Sequence, residues 1–224
     1  MIRIAAVAVS FVLLAAACGG SDDGANREPV VSEPTPADDC LVRIHGRTDN
    51  GKQSELVGDT AEIWPSGNDE FGNGRVWIYF PEDRYAEART IVADAIAANE
   101  CQRVLLNGFS NGGAMVASLV CNGEDFGGIL VGAVIDDPVA DTATENCAAA
   151  PGVEVALYWT GALDSGSAPG TDCDDNTYTC EGGVVIGIDA MAANLGVAVQ
   201  ASPFDGHTWY LDAPELQDFR INQA

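Results

Sequence analysis

Past residue 39 the chain alternates short apolar runs with stretches of helical period. Residues 40–46, Cys40-Leu41-Val42-Arg43-Ile44-His45-Gly46, read as a strand ending in a turn, and residues 75–80 read as a second strand. Residues 85–99 carry Ala86, Ile91, Ala95, Ile96 and Ala98 at helical spacing. Residues 102–108 form a third strand that runs into Gly108-Phe109-Ser110-Asn111-Gly112-Gly113, and residues 113–120 form a helix of small side chains behind that turn. Further strands are expected over 129–135, 153–158 and 197–202, with a helix over about 185–195 before the last. Strand and helix alternating in this way predict an α/β fold with a mainly parallel sheet and helices on both faces. Only a short acidic loop separates the strands 129–135 and 153–158, so no large cap domain is expected and the pocket should be open.

The first 39 residues follow different rules. Residues 1–17 hold one basic residue, Arg3, an apolar run over 4–14 and Ala15-Ala16-Ala17, the form of an export signal. Leu14-Ala15-Ala16-Ala17-Cys18 resembles a bacterial lipobox, which predicts lipidation of Cys18 and a membrane anchor; the alternative is plain secretion after cleavage at the alanines. Residues 18–39, rich in Gly, Ser, Pro, Asp and Glu, are expected to form a flexible tether. Residues 40–224 are then one domain. Seven cysteines less Cys18 leave six, an even number suited to an oxidising compartment. Of the fifteen possible pairings, Cys173–Cys180, Cys40–Cys101 and Cys121–Cys147 are favoured by their positions around the expected strands and helices. A formal charge of −24 and a pI near 4.1 exclude nucleic acid and anionic bilayer surfaces as partners by repulsion. Nothing in the sequence fixes an oligomeric state.

Active sites of parallel sheets lie beyond the carboxyl ends of the strands, and Ser110, His45, Asp164 and His207 all fall just after expected strand ends. In Gly-x-Ser-x-Gly the glycines permit a turn too sharp for side chains, which exposes the serine hydroxyl. A serine nucleophile needs a base, and the chain has only two histidines, His207 and His45. His207 follows the last expected strand and is favoured; His45 as base would require another topology. The carboxylate that orients the imidazole is expected at Asp164, with Asp172, Asp174 and Asp175 as rivals. Backbone N–H groups of Asn111 and Arg47 are the expected oxyanion donors. The cysteine and histidine spacing offers no metal-ligand set, and no glycine-rich phosphate loop or other cofactor motif is present.

Gly108-Phe109-Ser110-Asn111-Gly112-Gly113-Ala114-Met115 and Gly206-His207-Thr208-Trp209 resemble the extracellular polyhydroxybutyrate depolymerase and feruloyl esterase family of α/β-hydrolases. Gly161-Ala162-Leu163-Asp164 is similar to that family's Gly-x-x-Asp segment, and His45-Gly46 to its oxyanion turn. The resemblance implies an α/β-hydrolase fold; that family normally has further strands before the His-Gly turn, whereas here the tether runs almost straight into it, so a reduced sheet is expected at that edge. It also implies an extracytoplasmic serine esterase working through an acyl-enzyme on polyesters, feruloylated or acylated polysaccharides, or small acyl esters. Cutinases share a similar serine turn and a Cys-flanked loop of the same length, but their histidine follows that loop closely, whereas His207 is distant. A non-catalytic binding lipoprotein on the same scaffold and an acyltransferase are the competing expectations.

Overall fold

The computed structural model describes residues 37–161 and 185–221. Nine strands are described: β1 (Asp39–Ile44), β2 (Lys52–Val57), β3 (Thr60–Trp64), β4 (Asp69–Phe71), β5 (Gly74–Val76), β6 (Arg103–Phe109), β7 (Leu130–Asp136), β8 (Glu154–Trp159) and β9 (Val199–Ala201). The four described α-helices are α1 (Glu82–Ala98), α2 (Asn111–Cys121), α3 (Ile188–Leu195) and α4 (Pro214–Ile221).

Seven strands form one sheet in the order β2-β3-β1-β6-β7-β8-β9. Every neighbouring pair is parallel except β2 with β3. β1 lies between β3 and β6 and is buried along its whole length, which is why its sequence reads as a continuous apolar run rather than an alternation. β2, at the edge, exposes all but Ser54.

Successive side chains of the strands enter two separate cores. Val42, Ile44, Leu106, Ile135 and Leu157 join α1, α2 and α3 on one face. Leu41, Leu105, Val134, Ala156 and Tyr158 meet Leu216 and Phe219 of α4 on the other. Helices therefore cover both faces, three on one and one on the other. α1 buries Tyr85, Ala88, Val92 and Ile96 at intervals of three and four, and places Glu82 and Asp83 in its first turn, where the helix dipole favours acids. α2 is buried throughout, so it is built from small and apolar residues.

Two expectations change. Residues 75–80 are not one strand: β5 ends at Val76, pairs with β4 in a separate hairpin and bridges through Arg75 to Asp49. Trp77 and Tyr79 are buried, so the apolar pattern is genuine, but asparagine side chains take the backbone hydrogen bonds that a strand would use. Trp77 N–H donates to Asn111 Oδ1 at 2.8 Å and its carbonyl accepts from Asn111 Nδ2 at 3.0 Å. Ile78 is held in the same way by Asn68, at 2.7 and 2.9 Å. The second change is at the sheet edge, where β2, β3 and the β4–β5 hairpin occupy a stretch with no clear sequence pattern.

Cys40 is bonded to Cys101 and Cys121 to Cys147, bridging 61 and 26 residues. The first ties β1 to the start of β6 and the second anchors the end of α2. Disulfides persist in oxidising surroundings, so these two point to an extracytoplasmic location. Cys18, Cys173 and Cys180 lie outside the described residues, as do the expected signal and most of the expected tether. Among the described residues no helix is long and apolar enough to cross a membrane.

Candidate active site

Because β1, β6, β7, β8 and β9 run parallel, their carboxyl ends share one rim. Beyond those ends stand His45, Ser110, Asp137, Thr160 and the segment bearing His207, in that order along the sheet.

Ser110 has φ 56° and ψ −120°, a conformation that L-residues avoid. The flanking glycines make it attainable. A Cβ on Gly108 would lie 2.3 Å from the Gly112 carbonyl oxygen, and one on Gly112 would lie 2.1 Å from the Ile44 carbonyl oxygen. Backbone meets backbone at both places, so the turn tolerates no side chain there. Ser110 N–H donates to the Asp136 carbonyl at 3.1 Å, fixing the turn to β7. α2 begins at the next residue, directing its amino-terminal dipole at the serine.

The turn after β1 packs on this elbow: a Cβ on Gly46 would stand 3.3 Å from both Ser110 Cβ and Phe109 Cδ1. Arg47, half-buried, follows, and its guanidinium lies over the Phe71 ring of the β4–β5 hairpin at 4.4 Å. His45 is buried and accepts at Nε2 from Gly67 N–H at 3.0 Å, so its hydrogen is on Nδ1, which donates to the Gly46 carbonyl at 2.7 Å. Burial holds its pKa below the ordinary histidine value, partly opposed by the Gly46 carbonyl. With both nitrogens engaged and the ring neutral, His45 is a brace for the turn and has no nitrogen left to act as a base.

His207 lies on an irregular segment between β9 and α4. Its ring stacks on Phe109, the residue before Ser110, with centroids 4.5 Å apart, and Phe109 stacks in turn on Trp209 at 5.6 Å. Nδ1 is 2.5 Å from Asp137 Oδ2, which leaves Nε2 for a reacting group. The Asp137 carboxylate is fully buried. Besides His207 it accepts from Thr160 N–H at 3.0 Å and Thr160 Oγ1 at 2.8 Å, while its own N–H donates to the Tyr158 carbonyl at 2.9 Å. The positive φ of 43° at Asp137 turns the chain sharply at the end of β7.

The structure thus sets the His45–Arg47 turn against Ser110, with Asn111 opening α2 behind it, and stacks His207 on Phe109, the residue before the serine. Asp164 and its rivals Asp172, Asp174 and Asp175 lie outside the described residues, and the described partner of His207 is Asp137. Sequence reasoning passed over Asp137 because it sought the carboxylate after the following strand. The available signal was Ile135-Asp136-Asp137-Pro138, two acids closing an apolar strand adjacent to the one that carries the serine. Among the described residues no group of three or more His, Cys, Asp or Glu side chains is arranged to hold a metal. A groove of about 540 Å³, lined in part by Arg103, Gly132 and Glu154, sits at the amino ends of the strands and is remote from this rim.

The sheet order, the serine turn after β6 and the histidine after the last strand define an α/β-hydrolase fold. No protein-family model and no curated protein matches the sequence. Among solved structures the chain is similar to a Bacillus cereus carboxylesterase, at 16% identity and TM-score 0.49 over 84% of this chain and 89% of that one. It is also similar to a protein of unknown function from Agrobacterium tumefaciens, at 17% and 0.48 over 84% and 91%. A variant of Arabidopsis thaliana SOBER1 aligns at 18% and 0.46 over 81% and 95%. The class rests on topology; likenesses of this degree add nothing to it.

Proposed function

We propose that the protein is a serine esterase that cleaves carboxylic esters through an acyl-enzyme, with Ser110 as nucleophile, His207 as base and Asp137 as the acid that orients it. What carries the reading is the Asp137 carboxylate: it is buried, receives two hydrogen bonds from Thr160, and sits 2.5 Å from Nδ1 of an imidazole stacked beside the serine turn. A buried charge so fully hydrogen-bonded holds its partner ring in one tautomer and one orientation.

Ser110 Oγ attacks the acyl carbon while its proton passes to His207 Nε2, and Asp137 stabilises the imidazolium that results. The carbonyl oxygen, now an oxyanion, is met by the N–H groups of Asn111 and Arg47 and by the dipole of α2. Collapse expels the alcohol, which takes the proton from Nε2. Water then attacks the acyl-serine by the same path, giving the carboxylic acid and free Ser110. In this reading Asp137 takes the role that the sequence assigned to Asp164. The finer expectations, polyester or feruloylated substrates and a lipid anchor at Cys18, belong to the proposal and are tested by a substrate panel and by intact-mass measurement of the mature protein.

The direct test is labelling with a fluorophosphonate and turnover of short-chain nitrophenyl esters. Ser110→Ala should abolish both. Asp137→Asn should lower kcat by about 10³–10⁴-fold, while Asp164→Asn should leave it within about threefold. Equal labelling of the parent and Ser110→Ala proteins would instead favour a binding protein on a hydrolase scaffold.

A further inference from the structure

Residues 202–213, which carry His207, include no strand or helix. Their position depends on anchors, and three come from adjacent strands on the α4 face of the sheet. Arg43 of β1 donates through Nη2 to the Leu211 carbonyl at 3.4 Å. Asn107 of β6 accepts at Oδ1 from Trp209 Nε1 at 2.9 Å, and is itself oriented by Arg43 Nη1 at 2.5 Å. Asp136 of β7 accepts at Oδ2 from the Tyr210 N–H.

The third anchor differs from the second. Asp136 is fully buried, its Oδ1 has no hydrogen-bond partner, and it precedes a second buried carboxylate at Asp137. Asparagine would supply the same acceptor to Tyr210 without burying a charge, as Asn107 does for Trp209. A carboxylate here is an expense to the fold, and such features concentrate at functional sites.

Resting on the reading of His207 as the base, we propose that Asp136 is a positioning residue: from beneath the histidine segment it holds Tyr210, and its negative charge adds to that of Asp137 in stabilising the imidazolium formed as Ser110 gives up its proton. Asp136 neither gives nor takes a proton during turnover. The groups facing it are Asp137 on its own strand, His207 and Tyr210 on the segment, Tyr158 as its register partner on β8, and Glu215 of α4, which accepts from the Tyr158 hydroxyl at 2.9 Å. Burial pushes the Asp136 carboxyl up to about 7; the Tyr210 N–H opposes this, Asp137 adds to it and His207 opposes it. The charge is therefore absent in mild acid and present above neutrality.

The test compares the full chain with Asp136→Asn and with Trp209→Phe, which removes the neutral anchor to Asn107 and keeps an aromatic ring beside Phe109. In Asp136→Asn, kcat on a nitrophenyl ester should fall about tenfold at pH 8 with KM within about twofold, and the loss should vanish near pH 5, where the parent is also uncharged. In Trp209→Phe any loss should be the same at both pH values. Independently of activity, the Tyr210 amide resonance should titrate with a midpoint near 7 in the parent and not in Asp136→Asn. An active parent with equal kcat in Asp136→Asn at pH 8, a loss equal at both pH values, or a Tyr210 amide that does not titrate would overturn the role of Asp136 alone. A parent inactive on every ester would overturn the esterase reading and this proposal with it.

Discussion

At the scale of single residues, the rim is built by groups that have lost their freedom. Gly112 shows it most plainly, since a methyl group there would meet the Ile44 carbonyl at 2.1 Å with backbone on both sides. Gly112→Ala should destabilise the fold by about 3 kcal/mol, a fall in thermal midpoint of roughly 6–12 °C, because neither partner is a flexible side-chain end. His45 has a complementary test. Its two ring nitrogens are satisfied within the turn and its charge is disfavoured by burial. His45→Ala should therefore cost about 1–3 kcal/mol of stability by orphaning Gly67 N–H. An acid limb of the pH–activity profile that moved with this substitution would restore His45 as a candidate base.

At the scale of elements, legibility in the sequence followed how local the determinants are. β1, β6, β7 and β8 could be read because strands covered on both faces are apolar throughout, and the serine turn because its glycines stand at fixed spacing. β2 and β4 are largely exposed and left no pattern, while residues 77–80 looked like a strand because burial there is supported by Asn68 and Asn111, two side chains remote in sequence. Asp137 stood out only as one of two acids closing β7, since its partner His207 lies 70 residues away. α4 escaped notice altogether, although it closes the second core and reaches β1 through a buried charge cluster. Glu62 pairs there with Arg43 at 3.4 Å and with Arg220 of α4. Burial alone would push Glu62 up, but the two guanidiniums outweigh it and leave the carboxyl below its ordinary value. Glu62→Gln should strand two cations against each other and cost about 3–5 kcal/mol, read by urea denaturation. Because Arg43 also holds Asn107 and Leu211, the same change should lower the proposed esterase activity.

At the scale of the whole molecule, two buried carboxyls set opposite limits on stability against pH. Glu62 is more acidic in the folded chain, so its contribution is present above about 4.5 and is lost as pH falls further. Asp136 binds its proton more tightly in the folded chain, from 3.8 to about 7, so between those values the folded state holds the extra proton and stability declines as pH rises. A rise of that size corresponds to a penalty on the order of 4 kcal/mol once the pH exceeds 7. Surface repulsion in a chain of charge −24 works in the same direction, since it too grows as carboxylates ionise. Salt separates the two. At 1 M the screening length is about 3 Å, which suppresses repulsion across the surface but leaves a fully buried carboxylate almost unaffected. The thermal midpoint in 1 M NaCl should therefore still be highest near pH 5 and fall by pH 8, while Asp136→Asn should be flat across that range and at least about 5 °C more stable at the upper end. A slope in the parent that salt removes entirely would assign it to the surface and leave Asp136 without the buried charge on which its proposed role depends.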